Sequence, residues 1–288
     1  MSGTPFALPR VLAWEVTRRC PMKCRHCRAA AGDMQYEGEL SKDECLRVID
    51  SISSINPPPL IIWTGGEPMT RPDLAELVRH ASDRGLRSVL APCGMLVTEE
   101  SLSRLKEAGV MACSFSLDGP DRKTHDDFRG VEGAWEAVLT SMAVARAVGM
   151  PFQVNTVVRK GSLDALDAIY ERALSEGAMR LDLFFLVPTG RAAFIDSQVP
   201  DDAETDAVIS WAEGRRTKLT CCPDAGTCIG GRGFAFLSHV GTLQTCGFVQ
   251  TPCGNIRDFD FDFPRLAAAA DNPLGHCGNC RKMQRPVR

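Results

Sequence analysis

The stretch Thr17-Arg18-Arg19-Cys20-Pro21-Met22-Lys23-Cys24-Arg25-His26-Cys27 decides how the chain is read. It places a Cys-x3-Cys-x2-Cys loop where an apolar run, Val11 to Val16, stops. That run has the length and composition of a buried strand. Three thiolates at this spacing, with no fourth cysteine nearby, can hold three irons of a cubane cluster and leave the fourth iron open to an outside ligand. An open iron is where a small molecule can be bound and reduced. Structural zinc sites are usually closed by four ligands, and electron-carrier clusters usually have four cysteines. The alternative is a zinc knuckle completed by His26. It is disfavoured because His26 sits between two ligands with too little chain to close a tetrahedron.

Downstream, short apolar runs alternate with amphipathic stretches. Strands are predicted at Leu60 to Thr64, Arg87 to Ala91, Met111 to Leu117, Phe152 to Val158 and Leu181 to Val187. Helices are predicted at Ser41 to Ser54, Asp73 to Arg84, Thr98 to Ala108, Gly133 to Val148 and Leu163 to Ser175. Polar residues open several of these helices and Gly85, Gly109 and Gly149 close three of them, which are the expected start and stop signals. Such alternation predicts parallel βα units, in a barrel or a doubly wound sheet. The pattern does not choose between the two. From Pro188 the rhythm breaks. A helix over Asp202 to Gly214 leads into a cysteine- and glycine-rich tail with a hairpin-like pair, Phe234 to Ser238 and Thr242 to Thr245, and a helix near Pro264 to Ala270. The tail buries too little apolar surface to fold alone, and a metal centre is its natural staple.

The bulk numbers narrow the function class. The chain has 288 residues, 44% of them apolar and 24% charged, as expected of a soluble protein with a substantial core. A net charge of −3 gives no electrostatic footprint for nucleic acid. No apolar stretch of about 18 residues and no signal-peptide pattern is seen, so no membrane partner and a cytoplasmic location are expected. Thirteen cysteines in that compartment point to metal or redox chemistry rather than disulfides.

Cys20, Cys24 and Cys27 after an N-terminal strand resemble the signature of the radical S-adenosylmethionine (radical SAM) enzymes. The resemblance implies a partial (β/α)6 TIM-like barrel, an α/β fold over residues 10–190, with the cluster loop at the C-terminal mouth where barrel geometry puts active sites anyway. It also implies a [4Fe-4S] cluster whose open iron is chelated by S-adenosyl-L-methionine (SAM). Reductive cleavage of SAM then releases a 5′-deoxyadenosyl radical that takes a hydrogen atom from substrate. A reductase such as flavodoxin or ferredoxin is the implied electron donor. Gly65-Gly66-Glu67-Pro68 follows the second strand and matches, letter for letter, the family stretch that binds the SAM amino group. The glycines would admit close backbone approach to a ligand, and the Glu67 carboxylate suits an ammonium. Ser116 at a strand end and Arg129 in the run Phe128-Arg129-Gly130 resemble the branch in which such residues meet the SAM carboxylate or ribose. Asn155 would reach the adenosine. Asp118 is read equally as a turn cap or a substrate contact.

The tail resembles the SPASM and Twitch appendages, which hold auxiliary clusters. Cys228 and Cys246, spaced around Gly241, with Cys277 and Cys280 match the opening cysteines of that pattern. Only eight residues follow Cys280 and none is cysteine, so one auxiliary [4Fe-4S] cluster is expected, over residues 221–288, after a linker with a helix at 191–220. Zinc on the same thiolates is the alternative. Cys45 and Cys113 read as small core residues. Cys93 lines the mouth or merely packs, and Cys221, Cys222 and Cys253 lie near the presumed ligands. Wording around the motifs is similar to two branches, one that remodels propionate or acetate side chains of tetrapyrroles in haem biosynthesis and one that modifies ribosomally made peptides. The first is preferred, so the substrate is a small molecule, or else a peptide. A non-catalytic iron–sulfur electron carrier is the remaining class, and the Gly-Gly-Glu-Pro loop argues against it.

Overall fold

The computed structural model describes residues 6–220 and 229–271. In chain order these form β1 (Val11–Thr17), α1 (Lys42–Ser53), β2 (Leu60–Gly65), α2 (Leu74–Asp83), β3 (Arg87–Leu90), α3 (Glu99–Ala108), β4 (Val110–Ser116), α4 (Arg122–Arg129), α5 (Ala134–Ala147), β5 (Phe152–Val158), α6 (Leu163–Ser175) and β6 (Leu181–Phe185). Then follow α7 (Asp202–Ala212), β7 (Thr217–Thr220), β8 (Phe234–Leu237), β9 (Thr242–Gln244), β10 (Gly254–Asn255) and α8 (Phe263–Ala269). The helices start where the side chains allow: Ser41 with Glu44, Thr98 with Ser101 and Asp201 with Glu204 each form a reciprocal capping box.

One ten-stranded sheet runs in the order β10-β9-β8-β1-β2-β3-β4-β5-β6-β7, and it is open at both ends. All neighbours from β8 to β7 pair in parallel, while β9 pairs antiparallel with both β8 and β10. This is the expected partial barrel, with the C-terminal strand ends on one rim. Between sheet and helices lies one apolar core, in which Trp14 of β1 stands opposite Trp63 of β2 with ring centroids 5.5 Å apart. On β5 the residues alternate: Phe152, Val154, Thr156 and Val158 are buried, and Gln153, Asn155 and Val157 are half-buried on the opposite face.

Three elements depart from expectation. Helix α4 falls in Arg-Lys-Thr-His-Asp-Asp-Phe-Arg, which carries no apolar stripe. Its N-cap, Asp121, accepts the Thr124 N–H, and Gly130 ends it in the left-handed region. Strand β7 occupies part of the stretch read as linker, pairing Leu181 with Thr217 on the far edge. Strand β8 of the expected hairpin adds in parallel to β1, with Val11 opposite Phe234 and Trp14 opposite Leu237. Ala235 and Leu237 are fully buried in the main core, and Phe263 and Leu266 of α8 join it beside α1. The described part of the tail thus borrows the barrel's core.

Leu237→Ala leaves a cavity that the flanking strands cannot close. We expect a loss of about 2–5 kcal/mol in anaerobic denaturant unfolding. A change below about 0.5 kcal/mol, the size usual for surface positions, would show that β8 is not part of the core.

Candidate active site

The loop that leaves β1 is held from three sides by main chain. From β2, Gly66 N–H donates to the Thr17 carbonyl at 2.8 Å and Glu67 N–H to the Arg19 carbonyl at 2.8 Å. A Cβ on Gly65 would overlap the Thr17 carbonyl oxygen, and one on Gly66 would overlap those of Arg18 and Arg19. What these glycines admit, then, is the cysteine loop itself. From α4, the Phe128 carbonyl accepts the Arg25 N–H at 3.0 Å. From the turn after β6, Gly190 (φ +62°) leaves 2.5 Å between its missing Cβ and the Cys27 carbonyl oxygen. Arg191 then ties the loop across its width. Its N–H donates to the Cys27 carbonyl at 2.9 Å, its Nε to the Cys24 carbonyl at 2.8 Å and its Nη1 to the Ala31 carbonyl at 2.7 Å.

This lacing gathers Cys20, Cys24 and Cys27 into one apolar nest with Met22, Ala29, Ala31 and Ala134, flanked by Cys93. Met22 N–H donates to Cys20 Sγ at 3.4 Å, and Arg129 Nη1 donates to Cys24 Sγ at 3.8 Å. Burial pushes the free Cys24 thiol up, and the neighbouring Arg129 works against it. Among the described residues no three His, Cys, Asp or Glu side chains converge on one point able to bind a single ion. His26 is stacked on Phe128 at 4.4 Å, its Nε2 is 3.9 Å from Asp118, and burial pulls its pKa down to about 3.

Three buried carboxylates surround the loop in different settings. Glu15 of β1 ion-pairs with Arg18 at 3.0 Å and Arg28 at 3.1 Å, and stands 2.7 Å from His239 Nδ1 in the β8–β9 turn. Burial alone would raise its pKa, but His239, Arg28 and Arg18 outweigh it and hold the carboxyl at about 2. Arg28 also lies 4.1 Å above the Phe236 ring, tying β1, the loop and β8 together. Asp118, just past β4, accepts the Val157 N–H at 2.7 Å and ion-pairs with Arg129 at 2.6 Å. It is therefore a strut between β4, β5 and α4. Burial would lower the Arg129 pKa, yet Asp118 and Cys24 hold it above the ordinary value. Its Nε is buried without a partner. Glu67 differs from both. It is fully buried, it accepts the Met69 N–H at 2.9 Å and the Cys93 N–H, and burial pushes its carboxyl up. Among the described residues no cation lies against it.

Ser116 and Asn155 are register partners on β4 and β5, both half-buried near the rim. Pro68 opens the 3-10 turn Pro68–Thr70 that Glu67 caps. Of the tail cysteines, Cys246 is half-buried, and its sulfur accepts the Val249 N–H at 3.3 Å. Its turn leans on the cysteine loop, where Gln250 Nε2 donates to the Arg28 carbonyl at 2.9 Å, and on the segment after β6, where Thr189 Oγ1 donates to the Phe248 carbonyl at 3.0 Å. Cys228, Cys277 and Cys280, like Cys221 and Cys222, lie outside the described residues. Glu15, Arg28, Arg191 and His239 were not anticipated as site residues. A charge inside the apolar run of β1 was the one available signal for Glu15.

Comparison with known proteins agrees with this geometry. The model of the family described as "Radical SAM superfamily" matches residues 14–173. An AdoMet-dependent heme synthase of Nitratidesulfovibrio vulgaris is 39% identical over an alignment covering 96% of this chain and 86% of the relative. One of Methanosarcina barkeri is 40% identical, covering 94% and 88%. A PqqA peptide cyclase of Rhodopseudomonas palustris is 30% identical, covering 92% and 72%. Among solved structures, Streptococcus suis SuiB bound to S-adenosylmethionine superposes with a TM-score of 0.69 at 15% identity, over 92% of this chain and 66% of that one. Native anSMEcpe with bound AdoMet gives 0.68 at 15%, over 89% and 79%. Among the described residues no helix is long and apolar enough to cross a membrane.

Because the Glu15 carboxyl is held at about 2 against an ordinary 4.5, its ion pairs stabilise the fold fully above about pH 4.5 and lose that contribution as pH falls toward 2. Glu15→Gln should therefore destabilise the protein by on the order of 3 kcal/mol near neutral pH. The gap from the parent should narrow between about pH 4.5 and 3 in anaerobic unfolding. A pH-independent gap would refute the assignment.

Proposed function

The chain belongs to the radical SAM superfamily, and from that premise we propose that it is an enzyme acting on a tetrapyrrole side chain in haem-type biosynthesis. Cys20, Cys24 and Cys27 would hold the [4Fe-4S] cluster. That cluster with bound SAM supplies reductive sulfonium cleavage and hydrogen abstraction from substrate. The observation that carries the reading is Glu67. A fully buried carboxylate with no cation beside it is costly, and the amino group of SAM is a cation of the right charge arriving at the edge of the thiol nest. The unpartnered Arg129 Nε fits a SAM carboxylate, since a guanidinium already anchored by Asp118 needs little reordering to bind it. Gly65, Gly66 and Pro68 shape the main chain around that site, and Ser116 and Asn155 would meet the ribose and adenosine from the facing rim. The loop's apolar packing excludes water from the reacting atoms.

The haem-type substrate is favoured by the identity of 39–40% to AdoMet-dependent heme synthases over nearly the whole chain. A peptide substrate is the second reading, favoured by the PqqA peptide cyclase at 30% identity and by the fold of SuiB, which has been solved with precursor peptide SuiA. Cys228, Cys246, Cys277 and Cys280 would hold an auxiliary [4Fe-4S] cluster, and a flavodoxin or ferredoxin would deliver the electron.

Anaerobic reconstitution should give close to eight iron per chain, roughly four for each cluster. About four iron with tightly bound zinc would overturn the auxiliary cluster. Dithionite and SAM should then yield 5′-deoxyadenosine, and Cys24→Ala should abolish it. Its absence from fully loaded protein would sink the enzyme reading. A propionate-bearing iron tetrapyrrole should accelerate that turnover and lose mass, whereas stimulation by a peptide alone would favour the second reading. Glu67→Gln should weaken SAM binding about 10- to 100-fold, the equivalent of one charge-assisted hydrogen bond, with iron content unchanged.

A further inference from the structure

Arg159 has no part in the reading above, yet it stands at the same rim. It directly follows the last residue of β5 and is half-buried. Its guanidinium lies 4.5 Å from the centre of the Phe128 ring, whose stacking partner is His26 of the cysteine loop. Both ends of the residue are held. The Arg159 N–H donates to Ser162 Oγ at 3.1 Å, and Nη1 reaches Gln198 Oε1 at 3.5 Å. The Gln198 carbonyl also accepts the Lys160 N–H at 2.7 Å, which ties the 3-10 segment Gly190–Gln198 to this turn. What Arg159 lacks is an anion. Other half-buried guanidiniums around the cysteine loop are provided for: Arg18 and Arg28 by Glu15, Arg129 by Asp118, and Arg191 by the Cys24 and Ala31 carbonyls. Among the described residues no carboxylate ion-pairs with Arg159. Asp118 is the acid whose charge reaches it, and both Asp118 oxygens are taken, one by the Val157 N–H at 2.7 Å and the other by Arg129 at 2.6 Å.

We propose that Arg159 is a substrate-binding residue that receives a carboxylate of the substrate, a propionate arm where the substrate is a tetrapyrrole. The choice of a propionate rests on the haem-type reading; the demand for a carboxylate does not. The long contact to Gln198 uses Nη1 alone. It leaves Nε and Nη2, which form one two-pronged edge, without a partner among the described residues, and that edge matches the two oxygens of a carboxylate. The ground beneath is apolar, since Phe128, Leu186, Ala192 and Ile195 form a small buried cluster apart from the main core. A cation half-buried there beside a neutral amide is costly, and water screens its pull on an arriving anion less than at an open surface. Arg25, whose N–H is bound to the Phe128 carbonyl at 3.0 Å, adds like charge from the cysteine loop. The segment that carries Gln198 also carries Phe194, which is 88% exposed and offers an apolar face to the body of a macrocycle.

The test titrates the full-length, reconstituted protein with SAM present, anaerobically, using two probes. One is an iron tetrapyrrole with free propionates, and the other is the same compound with every propionate methylated; binding is read from the tetrapyrrole absorption. The wild-type protein should bind the free acid about 10- to 100-fold more tightly than the ester, the equivalent of one charge-assisted hydrogen bond. Arg159→Gln should remove that preference, with iron content and SAM binding unchanged. A variant that merely loosened the rim would weaken acid and ester alike, so the ratio separates recognition from structure. Equal binding of acid and ester by the wild type, or a preference that survives in Arg159→Gln, overturns the proposal and leaves the haem-type reading standing. If neither tetrapyrrole binds, the haem-type reading fails. Arg159 is then decided with a peptide that stimulates SAM cleavage, compared in its acidic form and with its carboxylates amidated. Only the acidic form should lose affinity in Arg159→Gln, and an equal loss from both forms overturns the site.

Discussion

Everything at this rim depends on main chain meeting main chain without side chains between. The cysteine loop is hydrogen-bonded by its backbone to the end of β2, to the end of α4 and to the turn after β6, and at Gly65, Gly66 and Gly190 any Cβ would overlap the main chain from Thr17 to Arg28. A loop laced in this way places its thiols by the sheet rather than by its own preferences. That rigidity is what a radical enzyme needs, since a reactive centre is useful only when the groups around it are held to within a fraction of an ångström.

The buried charges share one logic. Glu15 and Asp118 come with their own guanidinium partners and act as fasteners, one joining β1, the loop and the β8–β9 turn, the other joining β4, β5 and α4. Glu67 is enclosed just as fully but receives only N–H and S–H donors. Among the described residues, two of these buried carboxylates have guanidinium partners and the third has none.

Much of this was legible in the chain. Cys20, Cys24 and Cys27 announce themselves by spacing, Gly65 to Pro68 by wording, and the strands by apolar runs with glycine stops. Less legible was whatever depends on partners distant in sequence. Arg191 lies after the rhythm breaks at Pro188, and nothing local says that its guanidinium reaches back to Cys24 and Ala31. His239 reads as an ordinary turn residue until β8 docks beside β1 and brings it to Glu15. Helix α4 was hidden because it has one large apolar residue, Phe128, and its stability comes from capping and from the loop it supports. The glycines of β2 were recognised as close-approach residues, but what approaches is the protein's own backbone.

The pairing of β1 with β8 bears on biogenesis. Val11 meets Phe234 only after most of the polypeptide has left the ribosome. Until then one side of the first strand offers unsatisfied amides and carbonyls, an edge open to mispairing. The fastening of Glu15 by His239 is equally delayed, because both belong to that late seam. Metal delivery to the nascent chain would meet a half-built cradle, so the order of events favours closure of the seam first and insertion of iron afterwards.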